Sequence, residues 1–242
     1  MPELPKTLEE AIAQARVATQ AAIADGYSLL QVELLIPELK PMPVAEQFLP
    51  AFDQFASQLK VFFPDAGAAA LARRDWGDVP FQILDVGTGR LPVQKQIQLE
   101  DAVFLLVAPT AVEVAQVEKL YEEAGASRPF VLLNPRMEDV TIIGIGYAGR
   151  QLRDRFLNAI ESCYYLRPLD EAALFRCYPS PWQVWVETGG DYQLLTELPK
   201  KPVGDELDLI LAGTNQPAAG QPAPKKPKLF AGLQRFLRTL NR

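Results

Sequence analysis

Three short stretches, LKVFFP (59–64), AVFLLVAP (102–109) and PFVLLN (129–134), are nearly solid runs of apolar residues. Each is the length of a strand and too short for a core helix. None reserves a face for water, so each must be buried on both sides. Segments of helical period alternate with them. Thr7 to Asp25 carries Ala, Leu and Ile on one face behind a Thr7/Glu10 capping pattern, and Gly26 stops it. PVAEQFLPAFDQFASQL reads as a helix interrupted by Pro50, and DAGAAALARRDW as a short Ala-rich helix. TAVEVAQVEKLYEEAG reads as a helix packed through Val112, Val114, Val117 and Leu120. AGRQLRDRFLNAIESC does so through Leu152, Phe156, Leu157 and Ile160. SLLQVELLIPEL, FQILDV and VTIIGIG add strands.

This alternation predicts an α/β fold with a mainly parallel sheet and helices on both faces. In the C-terminal third YYLRPL, ALFRCY, WQVWVET and YQLLTEL are closely spaced, with Gly189-Gly190 as a hairpin turn. They are expected to be antiparallel strands added to the same sheet or forming a small appended one. Trp182 and Trp185 are expected as one core and one surface aromatic, and DELDLILAG as a last short helix. The boundaries expected are a single α/β domain over 1–212, a flexible Pro/Ala/Lys linker over 213–228, and a basic amphipathic helix over 229–242.

Several chemistries are excluded by what the chain lacks. It has no histidine, which removes Ser-His-Asp and Cys-His nucleophile systems. Its two cysteines, Cys163 and Cys177, make zinc sites improbable and are expected as reduced core residues. No cofactor is implied. No run of about 18 uncharged apolar residues is present to cross a membrane. The acidic N-terminal sequence lacks signal-peptide character, so the chain is expected to stay in the compartment where it is made.

Glycine-rich stretches invite a nucleotide reading. In ILDVGTGRLPV (83–93) an apolar strand ends in Asp85 and runs into Gly-x-Gly, as in class I methyltransferases. Leu91 and Pro92 occupy the third-glycine region, however, and too few residues follow for a full crossover helix, so a plain tight loop is favoured. GIGYAG, with Gly144, Gly146 and Gly149, is a formal G-x-G-x-x-G between an expected strand and a helix. A structural turn capping that helix is the competing reading. Asp65 and Asn134 follow strands, where α/β proteins build ligand sites. Asp65 equally suits an N-cap, with Arg73 and Arg74 at the same helix's C-terminus.

FFPDAGAAALARRDW, VAPT (107–110), LLNP (132–135), the block from RQLRDRF to SCYYLRPL (150–169) and YPSPW (178–182) resemble a domain family of unknown function. That family is found in cyanobacteria and plant chloroplasts. It includes the plastid factor called low photosystem II accumulation three, and one copy is fused to a chloroplast adenylate kinase. The resemblance implies a photosynthetic setting and, by way of one relative, a part in photosystem II assembly. It implies no catalytic residues.

The tail has the plainest pattern. On a helix, Leu229, Phe230, Leu233, Phe236, Leu237 and Leu240 fall within an arc of roughly 120°. Arg235, Arg238 and Arg242 lie opposite, and Lys225, Lys226 and Lys228 precede. The net charge is −6; removing these six cations from the 24 basic residues leaves 18 against 30 acids, or −12, for the body. An acidic body repels nucleic acid, so none is expected as a partner. The tail suits an anionic membrane surface, a partner's groove or the chain's own body. The expected role is a non-enzymatic accessory protein aiding photosystem assembly, peripheral on the thylakoid or inner membrane, meeting photosystem subunits or assembly factors. The alternative is a nucleotide- or phosphate-binding α/β enzyme or regulatory domain.

Overall fold

The computed structural model describes residues 2–87, 93–138, 142, 144 and 146–214. The linker and tail from residue 215 onward, with every residue of the expected amphipathic helix, lie outside the described residues.

The chain runs α1 (Leu8–Ala24), β1 (Leu29–Leu34), α2 (Pro41–Phe48), a 3-10 stretch (Leu49–Gln58), β2 (Leu59–Phe63), α3 (Ala66–Trp76) and β3 (Gln82–Asp85). It continues with β4 (Val103–Val107), α4 (Val114–Ala124), β5 (Phe130–Leu133), α5 (Tyr147–Arg155) and β6 (Glu161–Leu169). Three more strands, β7 (Ala172–Cys177), β8 (Trp182–Thr188) and β9 (Asp191–Leu198), precede α6 (Asp205–Thr214). One sheet takes all nine strands in the order β3-β2-β4-β5-β1-β6-β7-β8-β9.

Strand alternation explains the solid apolar runs. In β4, Val103, Leu105 and Val107 enter a core under α1, α2 and α3, whereas Phe104 and Leu106 enter a second core under α4 and α5. β5 divides likewise, with Val131 and Leu133 on the first side and Phe130 and Leu132 on the second. A third cluster, on the second face farther along the sheet, joins Tyr165, Leu174, Trp182 and Val184 to Leu207 of α6. The expected mainly parallel sheet, covered on both faces and extended by antiparallel strands, is therefore the fold.

Local signals act much as the sequence suggests. Thr7 accepts from Glu10 N–H at 3.1 Å, while the Glu10 carboxylate accepts from Lys6 N–H at 2.7 Å. At the Gly189-Gly190 hairpin turn both glycines have positive φ, 65° and 98°, as a two-residue turn of this hand requires.

Four details differ from expectation. YYLRPL is not the first antiparallel strand: β6 begins at Glu161, pairs parallel with β1, and only β7 onward is antiparallel. The preceding helix accordingly ends at Arg155, although Leu152, Phe156 and Leu157 still face the core. Of the strand expected at 140–146, residues 140, 141, 143 and 145 lie outside the described residues; Ile142 is helical and 51 % exposed. Val112 precedes α4 and is exposed, whereas Val114, Val117 and Leu120 are buried. Trp185 is no surface aromatic either; it packs half-buried against the first core, across the sheet from Trp182. Cys163 and Cys177 are free and buried.

One charge pair sits inside the sheet. Lys60 of β2 meets Asp101 at 2.8 Å, with side chains 3 % and 5 % exposed, and also donates to the Gln96 carbonyl at 2.7 Å. Removing one member strands the other charge. Lys60→Met should cost about 3–5 kcal/mol in urea denaturation, and adding Asp101→Asn should recover much of it.

Candidate functional site

β1 is the strand at which the apolar sheet gives way. On its first-core side it carries Leu30, Val32 and Leu34; on the other side Leu29 is followed by Gln31 and Glu33. Register sets their neighbours: Gln31 lies between Leu132 of β5 and Ser162 of β6. A β-bulge then inserts Cys163, so Glu33 pairs with Tyr165 rather than Tyr164. Cys163 and Tyr164 both turn into the first core, and burial pushes the Cys163 thiol up to about 12.

Above this strip the chain leaving β5 makes a fixed turn. Asn134 takes φ +49°, donates its N–H to the Val32 carbonyl at 2.7 Å, and accepts the Leu34 N–H on Oδ1 at 2.6 Å. Arg136 N–H bonds the Pro109 carbonyl at 2.7 Å. Met137 is buried in the second core, while Arg136 and Glu138 stay exposed on either side of it. Between this segment, β1 and the approach to β6 lies a half-open cleft of about 350 Å³, its mouth included. Gln31, Glu33, Arg136 and Glu138 give it polar groups; Pro135, Met137, Leu157 and Ile160 give it apolar walls.

The location follows from topology. β1 and β2 lead to helices over the first core, whereas β4 and β5 lead to helices over the second. At the β5/β1 border the chains leave toward opposite faces, and such a border opens a crevice at the carboxyl ends of the strands.

Glu33 is the electrostatically unusual group. Its half-buried carboxyl accepts from Gln31 Nε2 at 3.0 Å. Burial raises it to about 7, with Lys201 opposing the rise and Glu138 adding to it. The Lys201 ammonium sits 4.1 Å from the Tyr165 ring centroid and 5.5 Å from that of Trp182. Burial, then the Glu33 charge, holds the Tyr165 hydroxyl at about 12. Among the described residues no group of three carboxylates or thiols is placed to hold a metal.

The residues singled out in the sequence fall at separate places. Asp65, at the end of β2, caps α3 by accepting Gly67 N–H at 2.8 Å and Ala68 N–H at 2.9 Å, and Arg73 and Arg74 occupy that helix's last turn. Asn134 adjoins the cleft, but its amide oxygen is engaged by β1. Gly146 is the N-cap of α5 and bonds Arg150 N–H through its carbonyl; Gly149 is buried inside α5, and Gly144 has φ +80°. β4 separates β2 from β5, so Asp65 does not join the others. β3, which carries ILDVG, is the outermost strand; it borders no second crevice of the kind a central cofactor-binding strand has. Residues 88–92 of that motif lie outside the described residues.

Sequence reading passed over Gln31, Glu33, Glu138, Ser162 and Lys201. The available signal was in SLLQVELLI, where two polar residues two positions apart mark one face of an otherwise apolar strand.

Fold and cleft together define an α/β domain with one doubly covered sheet and a polar crevice at one of its switch points, the β5/β1 border. The chain belongs to the family described as "Domain of unknown function (DUF1995)", which matches residues 5–209.

Because the folded protein holds Glu33 near 7, above the roughly 4.3 of an unfolded glutamate, neutral Glu33 favours folding. That contribution is complete below the unfolded value and is lost as pH rises through about 7. Glu33→Gln should thus be more stable than the parent by on the order of 1–3 kcal/mol at about pH 8, and equal to it near pH 4. Thermal melts across that range check it.

Proposed function

We propose that the chain is a non-enzymatic accessory protein of photosynthetic membranes. Its α/β domain acts in photosystem assembly or accumulation, with photosystem II as the favoured setting, while its C-terminal segment attaches it to the cytoplasmic side of the thylakoid or inner membrane. What supports the first part is the resemblance of the motif blocks between 62 and 182 to a family that includes the plastid factor low photosystem II accumulation three. Its partners in this reading are photosystem subunits or assembly factors.

The observation that carries the attachment is the separation of charge along the chain. A body of net −12 precedes a segment with six cations and no acid, whose Leu and Phe residues share one helical face. The family match ends at residue 209, before that segment. A stripe of this kind becomes helical when its apolar face is buried, and each nearby cation adds about 1 kcal/mol at an anionic surface.

Flotation with anionic vesicles tests it. Full-length protein should float, with binding that weakens as salt screens the cations, and a chain ending at Pro224 should stay at the bottom. Equal flotation of both would sink the attachment.

A further inference from the structure

The cleft beside β1 has features that membrane attachment does not use. It presents both signs of charge within a short span. Arg136 and Glu138 lie two residues apart on the exposed side of one segment, about 6.5 Å along an extended chain. Glu33 faces them from the strand. The Glu138 charge adds to the cost of ionising Glu33, and the Lys201 ammonium that offsets it is held over Tyr165 and Trp182. A cation arriving from solution would relieve it further.

An independent observation lies beside Gln31. Ser162 is 7 % exposed, and its hydroxyl has no hydrogen-bond partner among the described residues. Register places it beside Gln31 on the same sheet face, behind the residues that line the cleft. Buried hydroxyls are nearly always satisfied, and one left open next to a cleft-lining residue fits a water bound there.

Three ligand classes can be compared. An isolated anion would meet Arg136 but also two carboxyl groups. An isolated amine would satisfy Glu33 and Glu138 but approach Arg136 uncompensated. Among the described residues a metal would find no third carboxylate. A small zwitterion answers both signs at once, its ammonium toward the two carboxyl groups and its carboxylate toward Arg136. Leu157, Ile160 and Pro135 then wall in an apolar side chain.

We infer that this cleft binds a free aliphatic α-amino acid, its ammonium between Glu33 and Glu138, its carboxylate on Arg136 and its side chain against Leu157 and Ile160. Two features follow. Binding draws the Glu33 proton off, because the incoming ammonium favours the ionised carboxyl. Amine-only and acid-only analogues bind more weakly than the zwitterion.

Isothermal titration of the full chain with L-leucine and L-methionine tests this beside isoamylamine and isovalerate, in phosphate and in Tris at about pH 7. The expected result is saturable binding of an amino acid. Its apparent enthalpy should differ between the buffers because a fraction of a proton is released. Glu33→Gln should abolish the buffer difference, and Arg136→Ala should weaken binding by about tenfold, the loss of one charge-assisted contact. Circular dichroism melts confirm that both variants fold. The inference is overturned by no heat and no thermal shift with millimolar amino acids. Isovalerate binding as well as leucine would overturn it too, since that marks a simple anion site. So would affinity indifferent to both substitutions.

Discussion

The architecture depends on one constraint: β4 and β5, and β2 apart from Lys60, have no side chain that tolerates water on either face. Successive residues of such strands point to opposite sides, so each needs two cores at once. Ala-rich α1 and α3 can lie close against one side because small residues leave room. The Val and Leu stripe of α4, with Leu152, Phe156 and Leu157, closes the other. Lys60 is the exception, and it is accommodated only because Asp101 and a carbonyl meet its ammonium inside the sheet.

Where that constraint relaxes, the chain becomes polar. β1 keeps one apolar face and gives up the other at Gln31 and Glu33, between the cover supplied by α4 and α5 and that supplied by α6. The bulge at Cys163 finishes the transition. It sends two consecutive residues into the first core and brings Tyr165, with Lys201 above it, beside Glu33. The cleft is thus a gap between two apolar clusters on one sheet face, placed at the β5/β1 border, one of two where chain direction over the sheet changes. A carboxyl there loses solvation without losing access, so its ionisation becomes sensitive to whatever charge approaches.

Charge is organised at a second, longer scale. The first 220 residues are acidic overall, while the last 22 carry six cations that follow a Pro/Ala-rich stretch in the sequence. A membrane contact made through that segment would leave the cleft and the sheet edges available for other partners, and the two proposals draw on different residues.

Much of the fold was legible because it rests on local rules. Apolar runs of strand length, the Thr7 and Asp65 caps and the Gly189-Gly190 turn are each written within a few consecutive letters. Errors arose where a neighbour decides. YYLRPL lies near antiparallel strands in sequence, yet its register is set by β1, more than a hundred residues away. A Gly-rich turn binds a nucleotide only at a suitable position in the sheet, and position is not local. By itself the sequence determined the class of fold, the helix and strand inventory and the charge division, because these depend on residues close in the chain. Strand order, the bulge and the meeting of Glu33 with Glu138, Tyr165 and Lys201 were decided only by tertiary structure, because each joins segments whose separation leaves no periodic trace.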